Sequence, residues 1–349
     1  MHQRLLAGSA ILVMGVACSQ AEAQQTPTPF GSVVEVTRII TEVRVVDTTG
    51  HPVTDLGPSD FEVKLDGRPA EVESVEWIPA ISGLTEVPSP PPGIAPTPPP
   101  EVAEGRLIVI LFQVDFAFHP SRTSGLMQIA PRAAEFVGSL GPRDRVAVLV
   151  FRSHLQLRVD FTGDHEAVSK MLTTTEILDR QIDPPEPDGP SLAAHLDAEE
   201  ARDVASMAST LELIGKALQP IPGPKSLVLF GYALGRWSAG PNITIGDGYK
   251  RAMEALTAAR TSVFAIDITD ADYHSLELGL QVIAEDTGGI YVKTNIFPDV
   301  AMARLGRVIS SYYELSIIPP PDLDDKFKIK VKVKRPRVEV FARQWRPSD

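Results

Sequence analysis

Residues 106–114, RLIVILFQV, form an almost unbroken apolar run of strand length. A strand with one wet face alternates polar and apolar residues. A strand apolar throughout needs cover on both faces, as a parallel strand packed between helices has. The run is followed by Asp115. The carboxyl ends of such strands are where open α/β sheets bind ligands, so the search for a site starts there.

The same pattern recurs downstream. RVAVLVF at 145–151, SLVLFGY at 226–232 and SVFAIDI at 262–268 read as buried strands, and IYVK at 290–293 starts a fifth. LQLRVDF at 155–161 is expected to pair with the second. Between them lie helical compositions: 191–218, where Ser191 can cap the start, and 247–260. A third, around 274–286, stops at Thr287-Gly288-Gly289, and a last one covers 298–311. Strands and helices alternating at these lengths predict a three-layer α/β domain over 105–311, with a mostly parallel central sheet and helices on both faces.

The flanks have a different period. Residues 33–78 carry β-branched runs, an alternating Phe61-Glu62-Val63-Lys64-Leu65, and Asp66-Gly67 as a hairpin turn. Residues 312–345 return to strands, YYELSII at 312–318 and VEVFARQW at 338–345. Between these, Lys326 to Lys334 alternates lysine with apolar residues. The flanks are expected to form one antiparallel β unit or two, of sandwich type. The lysines read as the wet face of a strand, where they block unwanted strand pairing. Contact with acidic polymers or lipid head groups is the other reading. Residues 79–104, rich in proline, read as an extended linker.

The first residues stand apart from all of this. MHQRLLAGSAILVMGVACSQAEAQQ has a short basic start, an apolar core and Ala21-Glu22-Ala23, the pattern of a secretory signal cut after residue 23. Cys18, the one cysteine, raises the alternative of a lipid anchor. No later segment is long and apolar enough to span a bilayer. The expected location is secreted or periplasmic. Cut after Ala23, the chain has no thiol for a disulfide, a nucleophile or a cysteine metal cluster. The formal net charge of −12 disfavours a sequence-independent nucleic-acid binder.

Several segments together resemble one family. VVDTTGHPVTDLGPSDFEVKLDGRP, GPRDRVAVLVF, FTGDHEAV, PGPKSLVLF, AEDTGGIYV and the C-terminal YYELSIIPPPDLDDKFKIKVKVKRPRVEVFAR are similar, in order and spacing, to von Willebrand factor type A related proteins of acidobacteria and similar bacteria. The resemblance covers the chain beyond the leader. It implies a divalent cation, usually magnesium, held by oxygen ligands from three loops at the carboxyl edge of the sheet. Asp115 matches the first aspartate of that family's Asp-x-Ser-x-Ser, but its serine positions hold Ala117 and His119. The loop after the third buried strand reads Phe230-Gly231-Tyr232-Ala233, without an acid. The middle-loop threonine matches Thr173, Thr174 or Thr175. The resemblance thus implies a degenerate site, with Asp115, and Thr174 beside it, as what is left of the ligands. The expectation is that no cofactor is bound, with magnesium as the alternative.

Catalytic patterns are thin. There is no His-Glu-x-x-His, no Gly-x-Ser-x-Gly and no phosphate-binding glycine loop. The histidines at 51, 119, 154, 165, 195 and 274 lack ligand spacing and read as surface or cap residues. His119 beside Asp115 leaves a hydrolase as a remote alternative. Asp267, Asp270 and Asp272 read as a solvated acidic loop, because their spacing does not match a calcium loop. The expected function is non-enzymatic contact with an unknown protein partner through Asp115, Phe116, Phe118, His119, Tyr232 and Trp237. A metal-dependent adhesin is the alternative.

Overall fold

A computed structural model describes residues 38–79, 105–114, 120–173, 183–237, 243–269, 274, 276–294, 297–324 and 326–346, all within the unit Thr37–Asp349. The chain enters on β1 (Ile39–Asp47), passes a 3-10 turn at Pro58–Asp60, and makes the hairpin of β2 (Phe61–Leu65) and β3 (Arg68–Ile78). Asp66 and Gly67 at its tip have φ of 49° and 79°. This is the doubly left-handed turn that favours such a pair.

After the segment outside the described residues, β4 (Leu107–Gln113) opens the α/β part. It continues through α1 (Pro120–Gly138), β5 (Arg145–Phe151), β6 (Leu155–Thr162), α2 (His165–Thr173), α3 (Ala198–Asp203), α4 (Met207–Leu218) and β7 (Lys225–Gly231). A two-stranded ribbon follows, β8 (Arg236–Trp237) with β9 (Ile243–Thr244). Next come α5 (Asp247–Ala258), β10 (Thr261–Asp267), α6 (Glu277–Thr287), β11 (Tyr291–Lys293) and α7 (Pro298–Ile309). The chain ends on β12 (Tyr312–Ile318), β13 (Phe327–Val333), β14 (Val338–Ala342) and β15 (Trp345–Arg346).

The six-stranded sheet has the order β11-β10-β7-β4-β5-β6, parallel except for the antiparallel edge strand β6. Both faces are covered. Ile108, Ile110 and Phe112 point to α1, α2 and α7, while Val109 and Leu111 point to α4, α5 and α6. This is why β4 has no polar alternation. Successive strands leave β4 in both directions, so the order reverses between β4 and β7, and the topological switch point, the usual ligand position in such sheets, lies at the carboxyl ends of those two strands.

The helical segment 191–218 is not one helix. Asp197 accepts from the amides of Glu199 and Glu200 and starts α3, the backbone extends at Val204, and Ser206 caps α4 through the Ser209 amide. Ser191 serves a turn instead, accepting from the Ala194 amide and donating to Asp160. Capping side chains compete locally with helical continuation, and here they break one helix into two.

The strands of both flanks share one seven-stranded antiparallel sheet, β14-β1-β12-β3-β2-β13-β15. It is not a sandwich. The last segment pairs with β1 through β14 and with β13 through β15, so the two ends of the sheet meet and the sheet curls into a partly closed barrel. Its interior holds Val43, Val63, Leu65, Tyr313, Leu315 and Ile317. The barrel packs against the amino ends of the parallel strands. Buried Arg44 of β1 donates to Ser262 Oγ and the Gly288 carbonyl, both at 3.3 Å, with its guanidinium 5.0 Å from the centre of the Phe264 ring. Beside it, Arg260 bridges Glu42 and Glu314. The barrel is therefore anchored at the end of the parallel strands opposite the switch point.

Candidate functional site

At the switch point the side chain of Gln113, the last residue of β4, reaches across to the loop after β7. Its Oε1 accepts from the Tyr232 amide at 3.0 Å and the Ala233 amide at 3.2 Å. A Cβ on residue 231 would come within 2.9 Å of that oxygen, so Gly231 is what lets the carboxamide in. Under the bridge, Phe112 and Phe230 stack at 4.9 Å. Above it the Tyr232 ring is half-buried, with the Arg122 guanidinium of α1 4.2 Å from its centre, a cation–π contact.

One strand further along, Asp267 closes β10. It was expected in a solvated loop, yet it is 0% exposed. Its Oδ1 accepts from the Thr269 amide at 3.1 Å and from the Thr269 hydroxyl at 2.8 Å. Its Oδ2 takes His274 Nε2 at 2.7 Å and the Tyr291 hydroxyl at 2.8 Å. A buried carboxylate persists only when its lone pairs are met in this way. Burial pushes the carboxyl up, but the bonds from His274 and Thr269 outweigh it and hold it below the ordinary aspartate range. Burial, and then the charge of Asp267, drive the Tyr291 phenol upward, so it stays a donor. Glu277, in the first turn of α6, is also buried and pairs with the Lys293 ammonium.

Asp267, His274 and Glu277 offer ligand atoms within 4.8 Å of one another. Nitrogen and oxygen donors of this kind suit zinc better than magnesium. The cluster already balances its charge, because His274 bonds Asp267 and Lys293 bonds Glu277. A metal would have to displace both contacts. At the switch point itself, the side-chain oxygen that the described residues bring is that of Gln113, and two amides occupy it. A single carboxamide oxygen already bonded to two amides is not by itself a magnesium site.

Of the residues expected at the edge, Asp115, Phe116, Phe118 and His119 lie outside the described residues, as does Thr174 with Thr175. The leader and residues 80–104 lie outside them too. Thr173 ends α2, its hydroxyl donating to the Lys170 carbonyl at 2.9 Å. Tyr232 is at the edge; Trp237 follows on β8, where only its backbone is described. His274, read as a surface or cap residue, and Asp267, read as part of a solvated acidic loop, are instead bonded to each other, and Asp270 and Asp272 lie outside the described residues. The sequence reading missed Gln113, Glu277 and Tyr291. Gln113 did carry a signal, as a polar side chain ending a strand buried on both faces must find a partner.

No protein-family model matches this chain, and no curated protein matches it. Among solved structures it is similar to proximal thread matrix protein 1 from the mussel byssus. The identity is 14% and the TM-score 0.39, over 59% of this chain and 47% of that one. Another structure of the mussel protein has a zinc-occupied MIDAS motif. The conserved hypothetical protein BatB from Bacteroides thetaiotaomicron aligns at 16% identity and a TM-score of 0.37, over 59% of this chain and 99% of that one. Human COPII-coat protein Sec24c aligns at 9% and 0.40, over 70% and 44%. The chain spans about half the length of the mussel protein. Likenesses this loose carry no argument about function, which rests on the geometry above.

Proposed function

We propose that this chain is a non-enzymatic protein-contact module of type A class, acting outside the cytoplasm through the carboxyl edge of its parallel sheet and without a metal. The observation that carries the reading is the Gln113 bridge. It satisfies the amides of the third loop with a neutral carboxamide at the place where the family resemblance implies a cation. The same bridge fixes Tyr232 against Arg122, an aromatic–guanidinium pair of the kind that dominates protein interfaces. A second reading, a zinc-dependent contact, draws on the Asp267, His274 and Glu277 donors.

Titration calorimetry with magnesium, manganese, calcium and zinc separates the two. The metal-free reading expects no micromolar heat from any of them. Micromolar binding abolished by Asp115→Ala would refute it, and zinc binding abolished by His274→Ala would establish the second reading. In a pull-down from the envelope fraction of the source organism, Tyr232→Ala is expected to lose the partner that the wild type retains. A hydrolase screen comparing wild type with His119→Ala tests the claim that the chain is not an enzyme.

A further inference from the structure

The lysine row of β13 is not explained by the carboxyl edge, since it lies on the barrel. Phe327 and Ile329 point into the barrel, while Lys326, Lys328, Lys330 and Lys332 are exposed. A strand rises about 3.4 Å per residue, so these ammonium groups leave the surface about 7 Å apart in one line. That is within the screening length of about 8 Å at physiological salt, so they repel one another and raise a local positive potential. Among the described residues no carboxylate lies within ion-pair distance of these four, whereas neighbouring Lys64 pairs with Glu62 and Lys334 donates to the Ser59 carbonyl. In a chain of net charge −12, such a basic row is a local exception, offset in part by Glu62, which stands opposite Lys332 on β2, and by Asp66, whose carboxylate accepts from the Lys328 amide.

The row also has an origin. Lys326 lines a cleft of about 890 Å³ between the barrel and the α4–α5 pair. The carboxylates of Glu42, Glu212 and Glu254 line it as well, against six basic side chains counting Lys326. Lys328 and Lys330 line the next depression along the strand.

We propose that the cleft and the β13 face bind an extended acidic polypeptide with carboxylates at alternate positions. Such a chain repeats its charge every two residues, also about 7 Å, and so matches the lysines one for one. A block of consecutive acids sends half of its charges away from the row.

The test is fluorescence anisotropy on the full chain with two labelled twelve-residue peptides of equal composition, one alternating Glu and Ser, the other a Glu block followed by a Ser block. The alternating peptide is expected to bind about tenfold tighter, with affinity falling as salt rises. Charge reversal at Lys328, Lys330 and Lys332 together is expected to remove that preference and to flatten the salt dependence. Arg202→Glu, on the exposed side of α3, is the control expected to change neither. Equal affinity for the two peptides in the wild type overturns the proposal, and this comparison needs no variant to fold. Tighter binding of a sulfated polysaccharide or of anionic vesicles than of the alternating peptide also overturns it.

Discussion

Replacing Asp267 tests the account of the sheet edge most directly. The carboxylate is fully buried and receives four hydrogen bonds, two from Thr269, one from His274 and one from Tyr291. Asp267→Ala leaves the Thr269 hydroxyl and the His274 ring with no acceptor, and the Tyr291 hydroxyl with only a 3.5 Å contact to Glu277. Breaking a buried charged pair costs about 3–5 kcal/mol, and coupled losses do not simply add, so that range is the expected destabilisation. Asp267→Asn keeps an oxygen for Thr269 and puts an amide donor where Oδ2 was. The His274 ring can accept from it by changing tautomer, so the expected cost is about 1–2 kcal/mol. The pH dependence adds a signature. The folded carboxyl titrates below its unfolded value, so its stabilisation is present above about pH 4 and is lost as pH falls through the folded value. The gap between wild type and Asp267→Asn should therefore narrow below pH 4. Guanidinium denaturation followed by tryptophan fluorescence, at pH 7 and at pH 3, measures both effects. An Asp267→Ala cost within about 0.5 kcal/mol, typical of exposed sites, would refute the buried network.

Other substitutions probe the packing beneath. Lys225, buried at the start of β7, is pushed down to about 8 by burial and then by Arg260. Between pH 8 and about 10.5 the unfolded chain binds that proton and the folded one does not, so stability should rise with pH there, by at most about 3 kcal/mol. Lys225→Met should flatten that part of the denaturation profile. Gly279 of α6 lies so close to the loop after β7 that a Cβ would sit 1.9 Å from the Leu234 carbonyl oxygen. Gly279→Ala should cost about 1–3 kcal/mol by calorimetric melting, and should also weaken partner binding, because the loop that moves carries Tyr232. Arg260→Ala removes the partner of buried Glu42. With the guanidinium itself partly exposed, the expected loss is about 2 kcal/mol, and Glu42→Gln in the same background should restore part of it.

How far the sequence could be read depends on the range of the interactions involved. Apolar runs and lysine alternation report the immediate surroundings of a strand, so the layers and the outward row on β13 were legible residue by residue. The sheet edge is made of contacts between distant segments. Asp267 meets Tyr291 because β10 and β11 are parallel and in register, Ala265 opposite Tyr291 and Asp267 opposite Lys293. No local period encodes that pairing. His274 then arrives from the segment entering α6, seven residues beyond the acid it bonds. The general rule was nonetheless available. Asp267 ends a strand whose other residues are buried, just as Gln113 does, and a polar group in that place has to be satisfied by whatever the sheet brings alongside. Read by that rule, both residues report enforced proximity: Gln113 ties β4 to the loop after β7, and Asp267 ties β10 to β11 and to the approach of α6. The edge is stiffened at two points by neutral or self-balanced groups, and on the proposed contact role a stiff edge would present Tyr232 with less ordering left to do on binding.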